Sequence, residues 1–134
     1  MKSTKIVTSF LTWDGQYLIL KRSDKVRTMK ELWAGVSGII EGNEEPFYRA
    51  KREILEETNI SEKQITLVKA GTEIRTDSPQ YDNHEWLIYP FLFSVKEPKI
   101  KLNWENSEYR WITPSEITKF QTVPSLERVL TSLL

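Results

Sequence analysis

The chain has no cysteine. That absence removes disulfides, thiolate metal sites and a cysteine nucleophile together, and makes the cytoplasm the expected compartment. Only one histidine is present, His84. With no second histidine or cysteine to join it, a zinc site of the usual nitrogen and sulfur ligands cannot form, and His84 reads as a surface or hydrogen-bonding residue. Net charge is also lacking, nineteen Lys and Arg standing against nineteen Asp and Glu. Without a global field there is no general attraction for nucleic acid or an anionic membrane, so neither is expected as a partner. Any phosphate binding has to come from a local basic patch or a metal. Nor does any apolar run approach the ~18 residues of a membrane span. The opening MKSTKIVTSFLTWDG has an apolar run broken by Thr and Ser and no small-residue cleavage site, so no signal peptide is expected.

What is present suits one folded domain over residues 1–134, with 39% hydrophobic and 11% aromatic residues and neither a repeat nor a linker. Residues 5–12 and 16–21 are apolar, β-branched runs separated by Asp14-Gly15, which predicts a hairpin. Residues 22–31 follow as a basic loop with Arg22, Lys25, Arg27 and Lys30, of which Arg22 and Lys25, nearest the second strand, are the candidates for holding phosphate. Trp33 is expected to pack under that loop. Residues 36–40 predict a strand and turn; 64–75 and 85–95 predict two longer strands around the turn-rich segment 76–83. In or beside that segment, Tyr81 and Trp86 are candidates for stacking on a base. A loop at 98–107, a strand at 108–112, a small helix at Pro114 and a final helix opened by Pro124, with Leu126, Val129, Leu130 and Leu133 at helical spacing, complete an α/β order.

One stretch stands apart, residues 38–60, GIIEGNEEPFYRAKREILEETNI. Pro46 suits a first turn, Asn43 is a candidate cap, and the following residues predict a helix over roughly 45–58. At about 100° per residue, Phe47, Ala50, Ile54 and Thr58 share one side and Arg49, Glu53, Glu56 and Glu57 the adjacent one. Carboxylates in a last turn meet the negative end of the helix dipole and repel one another. The plain explanation is a solvated face with Arg49–Glu53 and Arg52–Glu56 pairs at i,i+4, each worth only a few tenths of a kcal/mol. The alternative is a hard divalent cation, which takes a few carboxylate and carbonyl oxygens from protein and the rest from water and substrate phosphate.

The same stretch resembles the signature of the Nudix hydrolases: Gly, five residues, Glu, seven residues, then Arg-Glu-apolar-any-Glu-Glu-any-Gly-apolar. Gly38, Glu44, Arg52, Glu53, Ile54, Glu56, Glu57 and Ile60 fall on their places. The one departure is Asn59 where the family has Gly, and Asn is the usual second choice for the left-handed residue that ends a helix. The resemblance implies a Nudix-type α/β/α sandwich around a mixed sheet covering essentially the whole chain. It implies that Glu53, Glu56 and Glu57 hold Mg²⁺ or Mn²⁺ together with the backbone carbonyl of Ser37. Glu53 is expected as the general base, oriented by Arg52. Gly38 is expected where a side chain would crowd the approach of strand and helix, and Glu44 as a structural partner tying its loop to Arg52. The family often draws a further carboxylate from the region of Glu105 and Glu108, and spacing does not choose between them.

The substrate implied is a nucleoside diphosphate linked to another moiety. For a small chain such as this a nucleoside triphosphate is the first expectation, damaged bases included. ADP-ribose, dinucleoside polyphosphates and a non-catalytic nucleotide sensor are the alternatives. The first proline and tyrosine after the signature are Pro79 and Tyr81, too distant to serve as the landmarks of the ADP-ribose, coenzyme A and dinucleoside polyphosphate subfamilies. A homodimer is compatible with the sequence, which does not set the oligomeric state.

Overall fold

The structure is a computed structural model and describes residues 2–77 and 83–134. Tyr81 therefore lies outside the described residues. Strands β1 (Lys2–Trp13) and β2 (Gln16–Arg22) form the hairpin that Asp14-Gly15 predicts, with Thr12 opposite Tyr17. Both turn residues have positive φ, 50° and 75°, the conformation that a two-residue hairpin turn requires. Two short strands follow, β3 (Trp33–Ala34) and β4 (Val36–Ile39), then helix α1 (Pro46–Thr58). The predicted strand 64–75 is two strands, β5 (Ile65–Ala70) and β6 (Ile74–Asp77). Both pair with the long β7 (His84–Val95), and Gly71 keeps contact across the break by donating to the Pro90 carbonyl at 2.9 Å. Strand β8 (Asn106–Ile112), a 3-10 turn at Pro114–Lys119 and helix α2 (Leu126–Ser132) end the chain. Helix α2 begins two residues later than Pro124 suggests, because Ser125 takes a left-handed conformation.

The eight described strands make one mixed sheet in the path β3-β2-β1-β7-β5, with β4 on β1, β6 on β7 and β8 on β2. The long β1–β7 pair is parallel, Ile6 opposite Ile88 and Phe10 opposite Leu92, while the other strand pairs are antiparallel. Side chains alternate across a strand, so the buried residues divide into two cores. Phe10, Ile88 and Leu92 pack with Leu126, Val129, Leu130 and Leu133 of the α2 segment. Val7, Leu11, Val36, Phe91 and Phe93 pack with Ala50 and Ile54 of α1 on the other face. That division is the α/β/α sandwich. Trp33 lies buried in the α2-side core, edge-on to Phe120 at 5.2 Å, as a packing residue. His84 hydrogen-bonds the Thr4 hydroxyl through Nε2 at 2.8 Å. Among the described residues no helix is long and apolar enough to cross a membrane.

Two local features of the sheet set the positions of Ser37, Gly38 and Arg22. Strand β4 runs antiparallel to β1, Gly38 opposite Val7 and Ser37 opposite Thr8, and this sets the Ser37 hydroxyl 3.1 Å from that of Thr8. The β2–β8 register shifts between Lys21 and Arg22, a bulge that puts Arg22 opposite Asn106. Bulges bend a strand and re-aim its side chains.

Candidate active site

Helix α1 begins without the cap expected of Asn43: Glu45 takes the N-cap place and makes no side-chain cap bond. Glu44 orders the turn instead. Its Oε1 accepts from the Glu41 N–H at 2.8 Å and from Arg49 Nε at 2.9 Å, and its Oε2 accepts from Arg49 Nη2 at 2.7 Å. The other end of the helix behaves as the sequence indicates. Asn59 is left-handed at φ 63° and ψ 21°, and its N–H reaches the Leu55 carbonyl.

Along the helix Arg49, Ala50, Glu53, Ile54, Glu57 and Thr58 are buried, so Glu53 and Glu57 turn inward while Glu56 stays exposed. Both predicted i,i+4 pairs form, in different surroundings. Arg52 and Glu56 meet at 3.2 Å with their side chains 51% and 43% exposed. Arg49 and Glu53 meet at 2.9 Å with theirs 8% and 9% exposed. The guanidinium that holds Glu53 is thus that of Arg49, and the guanidinium that ties down Glu44 is again that of Arg49. The sequence assigns both contacts to Arg52, whose guanidinium instead reaches Glu56 and, at 3.5 Å, the Tyr48 hydroxyl.

The carboxylates of Glu53, Glu57 and Glu105 gather within 4.8 Å of one another. Glu105 reaches them because its loop is tied to the end of β2, the Ser23 N–H donating to the Glu105 carbonyl at 2.8 Å. Glu108 stands outside the group on β8 and pairs with Arg110. Glu57 is the most deeply placed, 4% exposed. Asn106 Nδ2 donates to its Oε1 at 3.1 Å, and its Oε2 has no hydrogen-bond partner among the described residues. Burial, then the charges of Glu105 and Glu53, push the Glu57 carboxyl well above the ordinary carboxylate range. Burial raises Glu53 too, opposed by the bond from Arg49. Hydrogen bonding from Arg49 holds Glu44 below its ordinary value. Three inward carboxylates with an unpartnered buried oxygen are a costly arrangement by themselves. An oxygen-seeking divalent cation answers both defects, so the donor set fits one.

A cavity of about 570 Å³ opens over this cluster. Its lining includes Ser37, Gly38, Arg22, Arg49, Arg52, Glu53, Glu56 and Glu105, together with Ile6, Ile88, Leu126 and Val129, which pack with one another, and Trp86, whose strand neighbours Thr76 and Asp77 also line it. Glu56 therefore lines the cavity without joining the close carboxylate group. Arg22 is half-buried, and its Nε and Nη2 donate to the Thr28 carbonyl at 3.2 and 3.0 Å. Burial lowers its pKa, and the negative charges of Glu57 and Glu105 pull the other way. Lys25 is exposed and does not line the cavity, so the structure separates the two basic candidates. Trp86 sits half-buried in the cavity lining, opposite Thr76 on the neighbouring strand.

Three contacts are harder to find in the sequence. Arg49 stands at the right spacing but reads there as half of a weak surface pair, and Asn106 carries no signal at all. Glu105 is one of two equal choices. Each depends on what the rest of the fold brings near it.

The family model of the NUDIX domain matches residues 4–133. No curated protein matches the chain in sequence. Among solved structures, the MutT protein from Methanosarcina mazei Go1 superposes with a TM-score of 0.80 at 21% identity, over 97% of this chain and 94% of that one. A C. elegans Ap4A hydrolase gives 0.76 at 17% identity, over 98% and 94%. A MutT NUDIX hydrolase from Burkholderia pseudomallei gives 0.76 at 17% identity, over the full length of both chains. With the signature on α1, the carboxylates gathered beneath a cavity and the family model spanning nearly every residue, this chain belongs to the Nudix hydrolases, pyrophosphohydrolases of nucleoside diphosphates joined to another moiety.

Proposed function

We propose that the chain hydrolyses a nucleoside triphosphate, damaged bases included, to the monophosphate and pyrophosphate, with Mg²⁺ as its metal and Mn²⁺ able to replace it. The observation that carries this reading is the cavity, whose lining holds carboxylates and arginines as well as a group of apolar side chains. Its volume of about 570 Å³ lies within the ~300–1,000 Å³ of ligand pockets. The apolar group suits a base, and the charged residues suit the phosphate chain that trails from it.

Glu53, Glu56 and Glu57, with the Ser37 carbonyl and Glu105, would hold the ion. Bound there, it would neutralise phosphate charge and acidify a water. The chain's own groups do the rest. Arg49 holds Glu53 Oε2 and leaves Oε1 to take a proton from the attacking water. The new bond forms from that water oxygen to the α-phosphorus as the bond from phosphorus to the leaving pyrophosphate breaks. Arg22 would meet the phosphates, and Trp86 would form part of the wall against the base. Tyr81 keeps its proposed part in choosing the base. The reading takes residues 1–134 as one catalytic domain acting in the cytoplasm, in keeping with the absence of cysteine.

Trp104 favours a second reading. It is 62% exposed at the cavity lining, next to Glu105. An open indole there offers a platform for a second base, as in a dinucleoside polyphosphate. Hydrolysis of a panel of common and oxidised nucleoside triphosphates, ADP-ribose and diadenosine polyphosphates, with both products identified, separates the two. Monophosphate and pyrophosphate from a triphosphate support the first; preferred cleavage of a two-base substrate supports the second.

A further inference from the structure

We propose that the two arginines of α1 divide the work of the site: Arg49 positions Glu53, and Arg52 is a ligand for the substrate's phosphates at the cavity rim. The proposal rests on the hydrolytic reading above and deepens it.

Arg49 is fully engaged. Its Nε and Nη2 make a two-pronged pair with Glu44, its Nη1 bonds Glu53, and Glu41 lies 3.7 Å from Nη2. A two-pronged pair fixes the plane of the guanidinium. The third bond then fixes the direction of the Glu53 carboxylate. Glu44 belongs to the turn before the helix and Glu53 to the helix itself, so one buried side chain sets the angle between the turn and the acidic face. With Arg49 in that place, Glu53 and Glu44 need nothing from Arg52.

Arg52 is engaged loosely. Its Nε donates to Glu56 at 3.2 Å, and Nη1 lies 3.5 Å from the Tyr48 hydroxyl, a long contact. Its side chain is half-exposed, and exposed pairs of this kind add little to stability, so Arg52 can leave Glu56 at small cost. Among the described residues, three cations line the cavity, Arg22, Arg49 and Arg52. Arg22 spends two N–H groups on the Thr28 carbonyl, and Arg49 spends its fork on two carboxylates. Arg52 is the one held most loosely, its contacts the longer ones and both to exposed side chains, beside an acidic cluster that would otherwise repel a polyphosphate. A planar fork on an exposed stem matches phosphate oxygens in pairs, which a lysine does not.

The test is a comparison of Arg52→Gln, Arg52→Lys and Arg49→Lys. Steady-state kinetics on a nucleotide that the wild type cleaves is joined to equilibrium binding of a non-hydrolysable nucleoside triphosphate analogue. Losing a charged hydrogen bond to phosphate predicts that Arg52→Gln raises KM and weakens analogue binding about ten- to a hundredfold, with kcat within about threefold. Arg52→Lys, a point charge, recovers part of that loss. Arg49→Lys lowers kcat about ten- to a hundredfold and leaves binding within about threefold, because misplacing Glu53 affects the reaction more than the grip on substrate. If Arg49→Lys fails to fold, Glu44→Gln loosens the same guanidinium from its other side and should reproduce the kcat loss in smaller measure. Unchanged binding in Arg52→Gln, or unchanged kcat in the folded Arg49 or Glu44 variant, overturns the division of work. A wild type that binds the analogue and cleaves no nucleotide overturns the hydrolytic reading instead, and the Arg52→Gln binding arm still decides the role of Arg52.

Discussion

The carboxyl of Glu53 fills the space in which Gly38 would carry a Cβ. A Cβ on the strand there would meet Cγ, Cδ and Oε2 of Glu53, so the glutamate side chain would have to move. The signature glycine is therefore a packing requirement of the signature glutamate, although fifteen positions separate them in the chain. Gly38→Ala should push Glu53 off the bond it accepts from Arg49. We expect a loss of about 1–3 kcal/mol in stability, the usual cost of overpacking, measured by urea unfolding. We expect kcat to fall about a hundredfold, since small misplacements of a reacting group cost that much. Unchanged kcat would mean that the close approach does not matter to the chemistry.

Glu53→Gln separates the base from the scaffold. A glutamine oxygen still accepts from Arg49, so thermal unfolding should be little changed. Turnover should fall by about 10²–10⁴, the range that a positioned base contributes. Full activity in this variant would move the base to another carboxylate.

The structure distinguishes two glutamates that spacing could not. Glu105 meets Glu53 and Glu57, whereas Glu108 pairs with Arg110 outside the cluster. Glu105→Gln should weaken Mn²⁺ binding, followed by calorimetry, about tenfold or more, and Glu108→Gln should leave it unchanged. Equal effects would place the further carboxylate outside the cluster.

The buried acid makes a distinct prediction for pH. The Glu57 carboxyl is raised well above its ordinary value in the folded chain, so over that interval the folded state holds a proton that the unfolded state has lost. Its contribution to stability is complete below the unfolded value and is lost as pH rises through the raised one. Glu44 has the opposite sign: lowered in the folded chain, it contributes above its unfolded value and loses that contribution as pH falls through the lowered one. In EDTA the chain should therefore lose stability as pH rises from the ordinary carboxylate range through the raised value, followed by denaturant unfolding over a pH series, and Mg²⁺ should remove most of the loss by binding the ionised carboxylates. A loss on the alkaline side that Mg²⁺ leaves untouched would contradict this account of Glu57.

Much of this site was legible in the sequence because its elements are local. A period of 3.6 puts Glu53 and Glu57 on one face of α1, and Pro46 and Asn59 mark its two ends by the backbone angles they favour. The hairpin at Asp14-Gly15 and the core spacing of Leu126, Val129, Leu130 and Leu133 are of the same kind. What escaped depends on burial and on distant partners. Arg49–Glu53 looks like any surface i,i+4 pair until the sheet covers it, and then an exchangeable contact becomes a fixed one. Asn106 meets Glu57 from 49 residues away, beside a bulge in the β2–β8 pairing that no local pattern announces. The break at 71–73 escaped as well, because one apolar run serves equally for one strand or for two along the same edge of β7.

If the carboxylate cluster of α1 and Glu105 directs metal-dependent cleavage of a nucleotide phosphoanhydride, incubating the chain with the nucleotide panel in Mg²⁺ and in EDTA and resolving both products should give monophosphate and pyrophosphate from at least one nucleoside triphosphate in Mg²⁺ and none in EDTA. Equal turnover in EDTA, or no turnover of any member in Mg²⁺ while nucleotide still binds, would contradict that role.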